Sequence, residues 1–334
     1  MVAVLDRNGC PLMPCHPARA RRLMAGGRAV VVKTAPFVIR LKDRVAESSE
    51  VSGVAVRIDP GSKGTGIAVT ADVECSDRVS GEVTTSRRGL HATELQHRGA
   101  QIHKSMRQRA DHRRRRRGAN LRFRAPRFLN RSRPKGWLAP SLQHRVDTTL
   151  STVARLTRWF PVTELHVERA AFDTAALGLD LESLGLPLSA WSGGRTKYNR
   201  SMQGLAKSHT LDALAVGEAG PSTRVVRYPG TVLVTSACGR GSYARTRSDK
   251  HGFPRLYLPR QKQHHGFATG DLVRAHIPRG KYRGTHTGRV AVRASGTHRI
   301  SIPGGYADTS HSNLRLLQRG DGYAYTMRKE DARP

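Results

Sequence analysis

VAVRIDPGSKGTGIAVT, residues 54–70, is the stretch whose reading decides the fold. Two apolar, β-branched bursts flank Pro60-Gly61 and the spacing Gly64-Thr65-Gly66, which predicts two strands joined by a tight turn. The first strand ends on an acid, Asp59, at the point where strand gives way to turn. A carboxylate is costly in an apolar element, and a lone one is most often a cap or an ion-pair partner. Its meaning therefore depends on what the rest of the chain brings to it.

Upstream, residues 1–52 read as a small α/β unit. Pro17 suits the first turn of a short helix ending at Gly26-Gly27, AVVVK (29–33) and PFVIRL (36–41) alternate like strands, and DRVAESSEVSG (43–53) reads as a linker. Downstream, the pattern becomes helical from Gly89, with Leu95, Ile102 and Met106 on one face, and runs into HRRRRRGANLRFRAPRFLNRSR (112–133). LQHRVDTTLSTVARLTRWF (142–160) continues as a helix, and VTELHVE (162–168) is a buried-strand pattern ending in a second acid, Glu168. A Gly- and Leu-rich connection leads to WSGGRTKYNR (191–200) and then to KSHTLDALAVGEA (207–219), a short amphipathic helix carrying Asp212. From about Arg224 the chain is a succession of short strands, TVLVTSA, GDLVRAHI, GRVAVRA and HRISI, which predicts one or two small β-barrels or sheets.

Charge narrows the function. Of 334 residues, 58 are Lys or Arg and 25 are Asp or Glu, a net charge of +33 that calls for a polyanionic partner. The apolar 37% falls in strand-like bursts, which excludes a wholly disordered polycation. The longest apolar run, AVVV from Ala29, is too short for a bilayer and no signal-peptide core follows the N-terminus, so a soluble cytoplasmic protein is expected. Cys10, Cys15, Cys75 and Cys238 are too few and scattered for a disulfide scaffold. Cys10 and Cys15 beside His16 could form half a zinc site, but no second ligand pair with zinc-finger spacing follows.

Between Arg107 and Arg133 there are twelve Arg, no Lys and one acid, Asp111. A charge run is usually a solvated face or a flexible tail. This one is internal and carries Phe123 and Phe128, and guanidinium groups fork onto phosphate and stack on bases better than ammonium groups do. Nucleic acid is therefore favoured over membrane, with Arg107, Arg109, Arg113, Arg114, Arg115, Arg116, Arg117, Arg122, Arg124, Arg127 and Arg131 as candidate contacts.

Asp59, Glu168 and Asp212 each sit in an apolar element. Three carboxylates that converge repel one another unless a cation lies between them, and hard oxygen ligands suit Mg²⁺. Two Mg²⁺ about 4 Å apart could activate a water and stabilise a departing 3′ oxygen in phosphodiester hydrolysis. His209, three residues before Asp212, shares its helical face and could be an outer member of the metal site, a proton donor or a residue without a chemical role.

The order of strand with Asp59-Pro60-Gly61-Ser62, arginine-rich helix, strand ending in Glu168 and helix with His209-x-x-Asp212 resembles the split RuvC nuclease of the transposon-encoded IscB and IsrB proteins, relatives of the CRISPR effector nucleases. Pro11-Leu12-Met13-Pro14 matches the motif that names their N-terminal PLMP domain, and Gly193-Gly194-Arg195-Thr196-Lys197, GRGS (239–242), GFPR (252–255), GFATGDLVRA (266–275), GRVAVR (288–293) and DGYAY (321–325) match in order. IscB proteins carry an HNH nuclease between the second and third RuvC segments. The 19 residues between Asp173 and Gly193 contain no His or Cys and cannot hold it, so the chain looks like the IsrB form; an HNH deletion from an IscB protein would look the same.

The resemblance implies an α/β, RNase H-like RuvC domain in segments 53–88, 134–182 and 183–220. It further implies a PLMP domain at 1–52, an arginine-rich bridge helix region at 89–133 and a β-rich RNA-binding and flanking-motif region at 221–334. It implies Asp59, Glu168 and Asp212 as ligands of two Mg²⁺, with Mn²⁺ able to substitute, and His209 assisting. A long structured guide RNA (omega RNA) would direct a monomeric protein in a cytoplasmic ribonucleoprotein to duplex DNA beside a short motif, where the displaced strand is nicked. Arg240, Arg245, Arg255 and Lys281 are basic candidates in the last region, with phosphate contact the expected role of each. A guide-independent junction resolvase and a non-catalytic RNA-binding protein are the competing readings.

Overall fold

The computed structural model describes residues 1–76, 83–121, 132–169, 174–218, 223–238, 246–257 and 261–332. They form two compact units, one of Met1–Gly99, Leu138–Ala237 and Tyr325–Pro334, the other of Ala100–Trp137 and Cys238–Ala324. The class is mixed α/β.

The first unit opens with a four-stranded sheet, β1 (Val2–Leu5), β2 (Pro11–Cys15), β3 (Ala29–Lys33) and β4 (Val38–Leu41), in the order β2-β1-β4-β3. Helix α1 (Pro17–Ala25) starts at Pro17 and is capped by the His16 imidazole, which accepts from the Ala18 amide, and Gly26 closes it. Alternation splits β1 between two cores: Val2 and Val4 pack in the small core around Ala20 and Ile39, while Ala3 and Leu5 join the main one.

The main sheet starts with the hairpin β5 (Val54–Pro60) and β6 (Gly64–Ser76), continued antiparallel by β7 (Val83–Gln96). Helix α2 (Gly99–Gly118) follows, then α3 (Pro140–Leu156), β8 (Val162–Arg169), α4 (Thr174–Glu182), β9 (Leu188–Ser192), α5 (Gly193–Met202), α6 (His209–Ala215), β10 (Thr223–Arg227) and β11 (Thr231–Ala237). In space the strands run β11-β7-β6-β5-β8-β9, with β8 and β9 parallel to β5, and β10 also pairs with β7. The two sides of this sheet differ. Ile67 and Val69 of β6 pack with the α3 stripe Val146, Val153 and Leu156, whereas Ala68, between them, meets Leu211 and Leu214 of α6.

Two sequence expectations need correction. The helix expected from Gly89 begins at Gly99, and Leu95, assigned to a helical face with Ile102 and Met106, is fully buried in β7. Thirteen residue pairs, Gly64↔Gln96 to Ser76↔Val83, carry the ladder of β6 and β7 past residue 89, so the boundary at 88/89 cuts a continuous strand. Likewise, residues 221–334 are not one separate β region, because its first strands join the main sheet. The buried run of TVLVTSA is the signature of a strand covered on both faces, and it lies parallel to β7 in the main sheet.

In the second unit, α2 buries none of its side chains. Arg115 and Arg116 donate to the carbonyls of Lys250 and Gly252 between β12 (Thr246–Ser248) and β13 (Pro254–Tyr257), and the Arg116 guanidinium lies 5.3 Å from the Phe253 ring centre. After the short pair β14 (Gln263–His264) and β15 (Phe267–Ala268), an antiparallel sheet forms from β16 (Leu272–Ile277), β17 (Gly284–Ala291), β18 (Thr297–Ile302), β19 (Gly305–Ser310) and β20 (Leu314–Gln318). Val273, Ala275, Ile277, Val290 and Ile300 fill its core. Strand β21 (Tyr323–Lys329) then pairs with β11 at the edge of the main sheet. Among the described residues, no helix is long and apolar enough to cross a membrane.

Candidate functional site

Asp59 and Glu168 lie at the same end of the main sheet because β5 and β8 are adjacent and parallel, with Ile58 paired to Val167. Carboxyl ends of strands in such sheets are where ligands bind. Helix α6 brings Asp212 to the same end, and the three carboxylates line one open cleft of about 320 Å³ with Thr196, Lys197, Arg200 and Lys207. Three separate chain segments thus supply three acids to one cavity, and His209 joins them with Nδ1 3.4 Å from an Asp59 oxygen.

Close approach depends on missing side chains. A Cβ at Gly66 would stand 1.7 Å from the His209 carbonyl oxygen, so glycine is what lets the start of α6 lie on β6. A Cβ at Gly193 would stand 2.8 Å from a Glu168 carboxylate oxygen. The Ser192 hydroxyl caps α5 and the Ser208 hydroxyl caps α6, which fixes where both helices begin beside the acids.

Burial is the main force raising the Glu168 carboxyl above the usual range; the charges of Asp59 and Asp212 add to it, and the Thr196 hydroxyl opposes it. Asp212 is raised by burial and by Asp59, with Arg200 and Lys207 pulling the other way. The hydrogen bond with Asp59 raises His209 above the ordinary imidazole range. Arg200 is the closest cation, its Nε 2.7 Å from an Asp212 oxygen, and both side chains are at least four-fifths buried. Among the described residues, no three His, Cys, Asp or Glu side chains form a group that could hold a metal ion as they stand. The chemistry of the donor set fits a hard divalent cation all the same: the acids of the cleft are three carboxylates, of which Glu168 and Asp212 are raised by burial and by neighbouring negative charge, with a guanidinium already drawn in as counter-charge.

The end of α6 that points away from the cleft is held by buried side chains. Arg57, 2% exposed in the middle of β5, donates to the Val216 carbonyl at 2.6 Å, and Arg87 of β7 donates to those of Leu214 and Glu218. Asp72 accepts from both guanidiniums, and Asn199 of α5 donates to the Ala215 and Gly217 carbonyls at 2.9 Å each. At the other end, Thr210 and Tyr228 donate to the Glu330 carboxylate. Helix α6 is therefore not amphipathic in the ordinary sense: Thr210, Leu211, Ala213, Leu214 and Ala215 are all buried.

The acids and His209 singled out in the sequence converge, whereas Lys197, Arg200 and Lys207 were missed as members of the cleft. Their signal was present in WSGGRTKYNR and KSHTLDALAVGEA, motifs valued only for their order. An arginine inside VAVRI was equally conspicuous and proves to be a positioning residue. Arg107, Arg109, Arg113, Arg114, Arg115, Arg116 and Arg117 all lie on α2, in the second unit. Arg122, Arg124, Arg127 and Arg131, and also Phe123, Phe128, Arg240 and Arg245, fall outside the described residues. Arg255 is exposed on β13 and Lys281 is exposed with its Nζ 5.5 Å from the Tyr282 ring centre. His16 caps α1, and neither it nor Cys10 and Cys15 belongs to a metal-holding group among the described residues.

A family model described as RRXRR protein matches residues 2–182, more than half of the chain. No curated protein matches. Among solved structures, the chain is similar to Thermus thermophilus RuvC at 17% identity and a TM-score of 0.29, over 49% of this chain and 89% of that one. It is also similar to T. thermophilus RuvC in complex with a Holliday junction substrate, at 16% identity and a TM-score of 0.28, over 49% of this chain and 90% of the other. Overlaps this shallow transfer neither residues nor activity.

Proposed function

The chain belongs to the RRXRR protein family, and from that premise we propose that it is an RNA-guided, IsrB-type DNA endonuclease that nicks the displaced strand of a duplex beside a short flanking motif. One observation carries the reading: Asp59, Glu168 and Asp212, from three separate segments, line a single cleft rimmed by Lys197, Arg200 and Lys207. The sheet order, three antiparallel strands continued by two parallel ones, supports an RNase H-like domain with its acids at one end.

Asp59, Glu168 and Asp212 would hold Mg²⁺, for which Mn²⁺ can substitute. Bound there, the cations supply an activated water and charge stabilisation for the departing 3′ oxygen. Lys197 and Lys207 offer positive charge to the phosphates of the strand entering the cleft. Arg200 balances Asp212 until that charge is taken over. His209, kept protonated over a wider pH range by Asp59, is placed to give a proton to a departing oxygen. The arginines of α2 hold RNA phosphates and 2′-hydroxyls, supported by the bonds of Arg115 and Arg116 to the 250–252 turn. The working particle is one protein with a long structured omega RNA, acting on duplex DNA in the bacterial cytoplasm.

Sequencing the RNA that co-purifies at moderate salt, after expression with the native flanking DNA, tests the guided part of this reading. One discrete, structured species mapping beside the gene is expected. Heterogeneous cellular RNA, or none, overturns it.

A further inference from the structure

The five-stranded sheet of the second unit has two unlike faces. Val273, Ala275 and Ile277 of β16 turn to the core, so Arg274 and His276, between them, stand exposed on the other side. Strand β20 repeats the pattern: Leu314 and Leu316 pack on the core and Arg315 is exposed. Register then sets Arg274 directly opposite Arg315. Side chains so placed stand about 5 Å apart at Cβ, and two like charges there destabilise the sheet unless something neutralises them.

Elsewhere on the same face the chain supplies its own counter-charge. On β18 and β19, Arg299 stands directly opposite Asp308 and bonds it at 2.8 and 3.1 Å. Strands β16, β17 and β20 hold no Asp or Glu at all. Among the described residues, neither the Arg274 nor the Arg315 guanidinium has a hydrogen bond or ion pair. The pair is therefore built for an anion that comes from outside.

Its neighbours select which anion. Thr287 of β17 is exposed in the same row as Arg274, and one row along His276 shares a 3.3 Å hydrogen bond with exposed Thr285. Beyond them the turn from β16 to β17 carries Arg279, Lys281 and Arg283, all exposed. Guanidinium forks take phosphate oxygens two at a time. Hydroxyl and imidazole groups beside them suit the ribose 2′-hydroxyls that accompany the phosphates of RNA. A single carboxylate or free phosphate would engage the pair and leave the rest of this basic track unused. Helix α2, whose arginines the guided reading gives to RNA, belongs to the same unit.

We propose that Arg274 and Arg315 clamp one backbone phosphate of the RNA the protein carries, with Thr287 and the His276–Thr285 pair beside the adjoining ribose. This clamp rests on the guided reading above. It adds a contact at a named pair, outside α2 and apart from the acidic cleft.

The test uses the full chain and its co-purifying RNA, stripped at high salt and returned. Arg274→Gln and Arg315→Gln should each weaken binding about five- to tenfold and reduce the salt dependence by the equivalent of about one phosphate. The double variant should bind no more than about twofold more weakly than either single one, because both guanidiniums serve the same phosphate. Free of RNA, each single variant should unfold at the same urea concentration as the unaltered chain or a higher one, since a like-charged neighbour is gone. Unchanged RNA affinity in the single variants overturns the clamp, and so do losses that multiply in the double variant. A lowered urea midpoint overturns it as well, because the guanidiniums would then have a partner within the chain. Weaker binding of duplex target DNA with RNA affinity unchanged assigns the pair to DNA and is equally contrary. An unaltered chain that binds no discrete RNA sinks the guided reading itself, and that failure is told apart because it precedes any substitution.

Discussion

Asp212 faces opposite demands. In the proposed reaction it presents a carboxylate to a cation, yet Arg200 holds one of its oxygens at 2.7 Å inside a mostly buried pair. A cation entering the cleft competes with that guanidinium. Removing one positive charge at this distance should therefore strengthen metal binding, and Arg200→Ala is expected to tighten Mn²⁺ roughly tenfold, or about 1.4 kcal/mol, while slowing cleavage. Calorimetric titration with Mn²⁺ measures the first effect directly. Unchanged or weaker affinity would mean that Arg200 organises Asp212 and does not compete for it. At this scale the site was largely legible: an acid at the end of VAVRI, another at the end of LHVE and a third in HTLDALAVG are costly residues in apolar surroundings, and they meet. The pairing of Arg200 with Asp212 was not legible: WSGGRTKYNR marks a basic segment, but which acid its last arginine meets is decided through space, twelve residues along the chain.

At the level of elements, α6 is short, seven residues, and cannot hold its own place. Its position comes from Gly66 beneath it, from Arg57, Arg87 and Asn199 on its last carbonyls, and from Glu330 at its start. Gly66→Ala puts a methyl 1.7 Å from the His209 carbonyl, which should displace α6 and cost about 2–3 kcal/mol, in the range of overpacked cores. Urea denaturation gives the loss, and nicking should fall further than stability does because His209 and Asp212 move together. Strand-edge errors arose at this scale too. Leu95, Ile102 and Met106 fit a helical period, but pairing of β7 with β6 through Gln96 outweighs local periodicity. TVLVTSA looked like the first strand of a C-terminal sheet because nothing in a buried run says which neighbour it will have.

The same sheet carries a pH signature. His91, within β7, and His97, just after it, are both pushed down to about 4, chiefly by burial, and share hydrogen bonds with Thr93 and Thr65. A histidine whose folded pKa lies below its unfolded value of about 6.5 binds its proton first in the unfolded chain. Stability from these two groups is therefore complete above pH 6.5 and is lost as pH falls toward 4, on the order of 3 to 4 kcal/mol each at about 1.4 kcal/mol per unit. His91→Gln should flatten the fall in urea midpoint between pH 7 and pH 4.5. Parallel falls in the two proteins would show that His91 takes no part.

For the whole molecule, a surplus of 33 positive charges in 334 residues favours a polyanionic partner, which the proposed function takes to be RNA. RNA affinity should fall steeply with salt, by about 10³ or more between 50 and 200 mM if six to ten phosphates are neutralised. Filter binding across that range checks it, and a shallow slope would mean that the α2 arginines do not meet phosphate. In the proposed reaction three acids in one cleft cut one strand. Incubating supercoiled target plasmid with the purified ribonucleoprotein and Mg²⁺, beside the Asp59→Ala form carrying the same RNA, tests it most directly. Open circle as the final product from the unaltered protein, and uncut plasmid from the variant, is the predicted result. Linear DNA as the main product, or nicking that survives loss of Asp59, would contradict the account.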